Sequence, residues 1–153
     1  MNKPFRTNQA HGQVLVIPFT ESQEEAFSKP AKELNTVVII KPQAGWATSY
    51  LKFAGGMLES PTELFAEAAI RELFDKTRIV CKAKNLLEIN RKRKRRHPPN
   101  KGKFEIALFM AFECDFTSMF EPLFGEVGDE GVESYIISFE DLRDPEFSLD
   151  VPT

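Results

Sequence analysis

The sequence lacks the features of a membrane, zinc-binding or disulfide-rich protein. No apolar run approaches the roughly 18 residues of a transmembrane helix, and the longest runs, such as Val37–Ile40 and Ile106–Phe112, have the length of strands. The two cysteines, Cys81 and Cys114, form no Cys-x-x-Cys and no Cys/His zinc spacing. We therefore expect two buried thiols. The first residues also lack the apolar stretch of a signal peptide, which predicts a cytoplasmic location without a membrane partner.

Length and composition predict one ordinary globular domain. The chain has 153 residues, of which 42% are hydrophobic and 28% charged, close to the averages of folded domains. A chain of this size can bury enough surface to form a core without covalent links. We expect a single domain over residues 1–153, with its core at about 12–143 and an irregular tail at 144–153.

Charge is distributed unevenly along the chain. The formal net charge is −3, yet residues 91–103 contain eight lysines and arginines and no acidic residue. This asymmetry suggests an anionic partner or substrate. Three interpretations stay open: a solvated loop between two strands, a contact for substrate phosphates, and RNA binding. RNA binding is the weakest, because 91–103 offers no aromatic residue for base stacking except His97.

The residue pattern predicts more strands than helices. Apolar and β-branched runs predict strands at Gly12–Phe19, Thr36–Lys41, Tyr50–Phe53, Ile79–Leu87, Ile89–Arg93, Lys103–Phe116 and Ser134–Phe139. One long helix is predicted at about 61–77, with Ser60, Pro61 and Glu63 forming a capping box. It follows a turn at Gly55-Gly56, and its apolar stripe consists of Ala66, Ile70, Leu73 and Phe74. This pattern favours an α+β or layered α/β fold.

The exposed side of this helix carries acidic residues at metal-binding spacing. Glu72 and Asp75 lie one turn apart and face the same way. Two carboxylates so placed can share a hard cation such as Mg²⁺, with a backbone carbonyl from Gly55 as a further ligand. Arg71 can pair with Glu67, four residues earlier. The alternative interpretation is a solvated acidic helix face.

These residues resemble the Nudix box. Glu63 is followed by seven residues and then Arg71-Glu72, Leu73 and Ile79 fill the apolar positions of the motif, and Glu59 follows Gly55-Gly56 at a distance common in the family. The resemblance implies an α/β/α sandwich with a mixed sheet and covers roughly residues 12–143. The runs YLKFAGGMLE and AEAAIREL are most similar to the ADP-ribose pyrophosphatase branch.

The resemblance implies water attack on a diphosphate that links a nucleoside to a group X, assisted by Mg²⁺ or Mn²⁺. The implied metal ligands are Glu72, Asp75 and Glu59. A loop acid, Glu130 or else Glu133, is the implied base or additional ligand. Arg71 and Glu63 are implied to support the helix, as Gly56 is to shape the motif. From charge and position, Arg91, Arg93 and Arg95 are candidate phosphate contacts, and Trp46 is a candidate platform for the base.

The sequence departs from the motif in several places. Six residues rather than five separate Gly56 from Glu63, Asp75-Lys76 replaces a glutamate pair, and Arg78 replaces a glycine. Lys76 matters most, because an ammonium group cannot bind Mg²⁺ and repels it. The alternative function is therefore a degenerate Nudix domain that binds a nucleotide, RNA or protein partner without turnover. Relatives are often dimers, so a homodimer is a further expectation.

Overall fold

Two β-sheets and one long helix form the framework of the protein. The computed structural model describes residues 11–42, 49–94, 104–119 and 133–143. The elements are β1 (Gly12–Pro18), α1 (Gln23–Ser28), β2 (Asn35–Pro42), β3 (Ser49–Lys52), β4 (Ala54–Met57), α2 (Phe65–Thr77), β5 (Leu86–Lys94), β6 (Phe104–Ala111) and β7 (Glu133–Ser138). Short 3₁₀ turns lie at Ala31–Glu33, Ala83–Asn85 and Phe139–Arg143. No described helix is long and apolar enough to cross a membrane.

The larger sheet is mixed, as predicted. Its strand order is β4-β1-β6-β5, with β1 and β6 parallel and the two outer pairs antiparallel. The smaller sheet has the order β3-β2-β7 and is antiparallel throughout. The hydroxyl of Thr36, on β2, donates to the carbonyl of Pro18 at 2.8 Å. This buried hydrogen bond joins the second sheet to the end of β1.

Strand β1 is buried on both faces. Alternate side chains of a strand point to opposite sides, and both sets of β1 side chains are covered. Val14 and Val16 belong to the core cluster that contains α2 residues such as Leu73. Leu15 and Ile17 belong to a second cluster on the other face. A central strand covered on both faces is expected to read as a continuous apolar run, which is how β1 appears in the sequence.

The long helix begins later than the sequence predicts. It spans Phe65–Thr77 and not about 61–77, with Leu64 in an extended conformation just before it. The proposed cap fails because the Glu63 carboxylate accepts the backbone N–H of Glu59 at 2.8 Å and is also bound by Arg71. Instead, the Glu67 carboxylate accepts the N–H of Leu64 at 2.9 Å.

Three further local predictions are corrected by tertiary structure. Gly55-Gly56 lies within strand β4 and not in a turn, because it pairs with Val14 and Leu15 of β1. Of the predicted strand at Ile79–Leu87, only Leu86 and Leu87 lie in a strand, as the start of β5, while the rest contains an isolated bridge at Val80 and a 3₁₀ turn. The start of the predicted basic loop, residues 91–94, belongs to β5 and pairs with β6. Residues 95–103 and the predicted tail 144–153 lie outside the described residues.

The buried face of α2 differs from the predicted apolar stripe. Leu73 is fully buried, but Phe74 is 40% exposed. Ala68, Ala69, Glu72 and Thr77 complete the buried face. The prediction that Glu72 lies on the exposed side is therefore wrong, since only 8% of this residue is exposed. The helix packs against β1 and β4, so its inward face presents a carboxylate to the end of the larger sheet.

Candidate active site

Arg71 lies at the centre of a cluster of carboxylates. Its Nε and one terminal nitrogen donate to the two carboxylate oxygens of Glu63, at 2.9 and 3.0 Å. The other terminal nitrogen donates to Glu72 Oε1 at 2.6 Å and lies 3.1 Å from Glu59 Oε1. Asp75 Oδ2 is 4.0 Å from that same nitrogen. The guanidinium group therefore gathers four acidic residues, of which Glu59, Glu72 and Asp75 are predicted metal ligands.

The predicted pairing of Arg71 with Glu67 is wrong. Glu67 is used at the start of α2, where its carboxylate accepts the N–H of Leu64. Arg71 instead points towards β4, and it donates to the carbonyl of Met57 at 3.1 Å. A planar guanidinium offers several donors in fixed directions, so Arg71 ties the middle of α2 to the end of β4 and to the turn that precedes the helix.

Gly56 and Glu72 fit together sterically. A Cβ atom added at position 56 would lie 2.6 Å from Glu72 Cδ and 2.7 and 2.8 Å from its two oxygens. Any larger side chain there would displace the carboxylate. Gly55 has a different role, because a Cβ at that position would lie 2.0 Å from the Val14 carbonyl oxygen. The first glycine therefore permits close strand pairing, and the second permits the burial of Glu72.

Burial raises the pKa of Glu72, although the hydrogen bond and charge of Arg71 and the charge of Lys76 act in the opposite direction. For Glu63, burial also acts to raise the pKa, but the hydrogen bonds from Arg71 and from the Glu59 N–H outweigh it and lower the value. Burial acts to lower the pKa of Arg71. The hydrogen bonds from Arg71 to Glu63 and Glu72 outweigh this effect, so the net pKa of Arg71 is raised. The cluster thus holds the permanently charged Arg71 beside the Glu72 carboxylate, whose ionisation is made less favourable by burial.

Lys76 lies one helical turn after Glu72 and is partly buried. Its positive charge is close enough to favour the ionised form of Glu72. Its backbone carbonyl faces β7, where it lies 3.4 Å from the hydroxyl of Ser134. Lys76, which replaces a glutamate of the motif, therefore lies beside the Glu72 carboxylate. Its backbone also faces β7, the strand that follows the predicted acidic loop.

Glu133, the alternative loop acid, points away from this helix. Ser134 contacts α2, and side chains alternate along a strand, so Glu133 and Tyr135 occupy the opposite face of β7. The Tyr135 hydroxyl donates to the Glu133 carboxylate, and this bond raises the pKa of Tyr135. The structure does not bring Glu133 into the Arg71 cluster. The first choice, Glu130, lies outside the described residues, as do Arg95 and Trp46.

Arg91 is engaged in local contacts on β5. Its guanidinium lies 4.0 Å from the centre of the Phe65 ring, at the start of α2. It also forms ion pairs with Glu88 and with Glu105, the latter at 3.7 Å. Arg93 is exposed on the same strand, opposite Glu105 of β6. Arg91 thus lies against the first turn of α2, about two helical turns from Glu72.

No protein-family model and no curated protein matches the chain, but solved structures resemble it. An ADP compounds hydrolase has a TM-score of 0.57 at 20% identity, over 90% of this chain and 64% of that one. A MutT structure, from a study of Aliivibrio salmonicida and Vibrio cholerae, has a TM-score of 0.51 at 15% identity, over 88% and 89%. The fold is Nudix-like.

A third structure, a MutT/nudix family protein from Enterococcus faecalis, has a TM-score of 0.47 at 17% identity, over 73% of this chain. The chain spans 38% of the length of that protein and 64% of the ADP compounds hydrolase. Identities of 15–20% establish a shared fold and not a shared substrate. The predicted fold class is confirmed, including its mixed sheet and single long helix.

Sequence reasoning missed two features of this site. It paired Arg71 with Glu67, whereas the structure makes Arg71 the common partner of Glu59, Glu63 and Glu72. It also missed the contact between Gly56 and Glu72. The spacing of Glu63 and Arg71, eight residues apart, was the available signal for the first feature. No sequence signal indicated the contact between Gly56 and Glu72, because this contact depends on how α2 packs against β4.

Proposed function

We propose that this protein is a Mg²⁺-dependent hydrolase of a nucleoside diphosphate linked to a group X, with ADP-ribose-like compounds as the first substrate class. The observation that supports it is the buried carboxylate of Glu72, which lies against Gly56 and is held by Arg71. A buried carboxylate with a raised pKa beside a specific charge partner is a candidate functional group, because perturbed pKa values cluster at functional sites. The runs YLKFAGGMLE and AEAAIREL, which are most similar to the ADP-ribose pyrophosphatase branch, support the choice of substrate class.

The donor chemistry fits a hard divalent cation. Oxygen atoms of Glu59, Glu72 and Asp75 all lie within 4.0 Å of one nitrogen of Arg71. Carboxylate oxygens are the ligands that Mg²⁺ prefers, and with Glu63 the cluster has four carboxylates around one guanidinium. Within the described ranges no three His, Cys, Asp or Glu side chains already form a metal-binding group. The proposal assigns further ligation to Glu130 and the Gly55 carbonyl.

When bound, Mg²⁺ would neutralise phosphate charge and lower the pKa of a bound water. The residues of the chain orient this chemistry. Arg71 fixes the Glu72 carboxylate, and Glu63 fixes Arg71 through a two-point hydrogen bond. Glu130 is the proposed base. Arg93, Arg95 and Trp46 are proposed contacts for phosphate and base, while the ion pairs of Arg91 favour a positioning role for that residue.

The test is a metal titration with a substrate panel. Mg²⁺ and Mn²⁺ are added to the pure protein with ADP-ribose, dinucleoside polyphosphates, NADH and nucleoside triphosphates, and nucleotide or phosphate release is measured. We expect metal-dependent turnover of an ADP-containing diphosphate, reduced at least 100-fold in Glu72→Gln. Glu24→Gln, an exposed change on α1 away from the Arg71 cluster, is the matched control. Turnover that survives Glu72→Gln would overturn the assigned site.

Lys76 supports a second candidate, a degenerate domain that binds a nucleotide, RNA or protein partner without turnover. Its charge already favours the ionised form of Glu72 and could take the place of a cation. This candidate predicts nucleotide binding by calorimetry that is independent of Mg²⁺, with no release of product. Metal-dependent turnover would exclude it.

A further inference from the structure

The two cysteines lie opposite each other on neighbouring segments. Val80 follows α2 and Asp115 follows β6, and these residues form an isolated antiparallel bridge. The Val80 N–H donates to the Asp115 carbonyl at 3.1 Å, and the Asp115 N–H donates to the Val80 carbonyl at 2.9 Å. Continuing this antiparallel register by one residue brings Cys81 opposite Cys114.

This position suits a disulfide. The pair next to a mutually hydrogen-bonded pair is a non-hydrogen-bonded one, with Cα atoms about 4.5 Å apart. Disulfides form when the Cα atoms are roughly 4.4–6.8 Å apart. Cys81 and Cys114 belong to the same core cluster, and each is 6% exposed. Neither side chain needs to cross the core to reach the other.

The two thiols interact and differ in acidity. The neighbouring Cys114 thiol lowers the pKa of Cys81, while the neighbouring Cys81 thiol and burial raise the pKa of Cys114. Each thiol donates to a nearby backbone carbonyl, Cys81 to Lys82 at 3.4 Å and Cys114 to Phe112 at 3.9 Å. The thiolate is the reactive form of cysteine, which makes Cys81 the attacking sulfur and Cys114 the resolving one.

We propose that Cys81 and Cys114 are a redox pair that hydrogen peroxide converts to an intramolecular disulfide. The Cys81 thiolate attacks one peroxide oxygen, the O–O bond breaks, and a sulfenic acid and hydroxide form. The hydroxide takes up the proton that the Cys81 thiol released and becomes one water. The Cys114 sulfur then attacks the Cys81 sulfur, the S–O bond breaks, and a second water leaves. In total, two thiols and one peroxide yield one disulfide and two waters. This proposal is independent of the proposed hydrolase activity.

The disulfide would link the exit of α2 to the end of β6. It closes a loop over residues 81–114 that contains β5 and β6. Such a crosslink restricts the unfolded chain, so the oxidised protein should melt several degrees higher than the reduced protein. The link would also anchor the segment that follows the helix carrying Glu72 and Asp75.

The experiment treats the fully reduced, folded protein with hydrogen peroxide. Free thiols are then titrated after denaturation, and the intact mass is measured. We expect both thiols to disappear together with a mass loss of two hydrogen atoms, monomer on a non-reducing gel, and a higher melting temperature that returns to the starting value with dithiothreitol.

Cys114→Ser and Cys81→Ser serve as matched variants. Cys114→Ser should gain oxygen at Cys81 and form no internal crosslink, while Cys81→Ser should react much more slowly. The wild-type measurement decides the proposal even if a variant does not fold. Thiols that remain titratable in peroxide-treated wild type, oxygen addition without a crosslink, or disulfides only between molecules would overturn it.

Discussion

The carboxylate of Glu72 occupies the space that a Cβ atom at position 56 would fill. Glycine at this position of β4 is therefore a condition for burying the acid, and α2 can approach the strand only because no side chain intervenes. The contact makes the carboxylate's position depend on the packing of helix against strand.

We expect Gly56→Ala to lower the free energy of unfolding by about 1–3 kcal/mol, because overpacking forces neighbouring groups to move. Metal-dependent turnover should fall at least tenfold, since the displaced group is the Glu72 carboxylate. A double-mutant cycle with Glu72→Ala, followed by urea denaturation, isolates the contact. Gly56→Ala should lower the free energy of unfolding much less in the Glu72→Ala background than in wild type.

Gly12→Ala is the matched control for that cycle. Its Cβ would overlap the Phe65 ring and the Glu105 carbonyl, so it should also destabilise the fold. Glu72→Ala should not rescue it. If the two glycine variants respond alike to Glu72→Ala, the steric relationship between Gly56 and Glu72 is wrong.

Glu72→Gln should stabilise the metal-free protein at neutral pH by roughly 1 kcal/mol, a typical size for single substitutions. The pKa of Glu72 is raised above 4.5 by burial. Its favourable, neutral form is therefore fully present below pH 4.5 and is lost as the pH rises through the folded-state pKa. Glutamine keeps an acceptor for Arg71 without the charge.

Urea denaturation between pH 4 and pH 8, without metal, measures this effect. The advantage of Glu72→Gln over wild type should be small at the acid end and should grow towards neutral pH. Added Mg²⁺ should reverse the order, because only wild type gains binding energy from the ion. A variant that is less stable than wild type at neutral pH without metal would contradict the argument.

Arg71→Lys should reduce stability by about 2 kcal/mol and turnover more than tenfold. A lysine cannot make the two-point bond to Glu63 while donating to Glu72 and to the Met57 carbonyl. Thermal denaturation and kcat measurements check it. Arg78→Lys makes the same chemical change at a half-buried arginine that lies over the Phe74 ring, outside the cluster, and should have a much smaller effect. Equal losses in both variants would remove Arg71 from its central role.

Lys76→Glu should raise Mg²⁺ affinity roughly tenfold, the equivalent of about 1.4 kcal/mol. The change removes a repelling ammonium group from the side of Glu72 and adds a carboxylate oxygen. Isothermal calorimetry with Mg²⁺ measures it. Lys82→Glu changes an exposed lysine on the segment after the helix by the same charge and should leave affinity nearly unchanged. Unchanged affinity in Lys76→Glu would mean that the ion binds away from this turn of α2.

Local sequence patterns predicted much of the fold. Strand β1 and the existence of α2 follow from apolar runs and periodicity, whereas the mixed sheet was implied by the resemblance to the Nudix box. The start of α2 could not be predicted in this way, because Ser60 and Glu63 have the residue types of a capping box. Glu63 is instead engaged by Arg71 and by the Glu59 N–H, and these contacts exist only once the helix is packed.

The residues of the candidate site stay predictions, but the structure does test how they are arranged. The spacing of Glu63, Arg71 and Glu72 selected three residues that meet at the Arg71 guanidinium. It did not reveal that Glu72 is buried, since helical periodicity alone placed it on the polar side of the helix. The acids expected to face solvent share one guanidinium in the structure.

The sequence by itself determined the class of fold, the position of the long helix and the residue types available for metal chemistry, because these depend on local propensity and on the order of residues. Only the tertiary structure decided which of these residues meet. The packing of α2 on β4 buries Glu72 against Gly56, and the bridge between Val80 and Asp115 brings Cys81 opposite Cys114. Such contacts join distant parts of the chain, so their geometry depends on the packed elements and not on any local pattern.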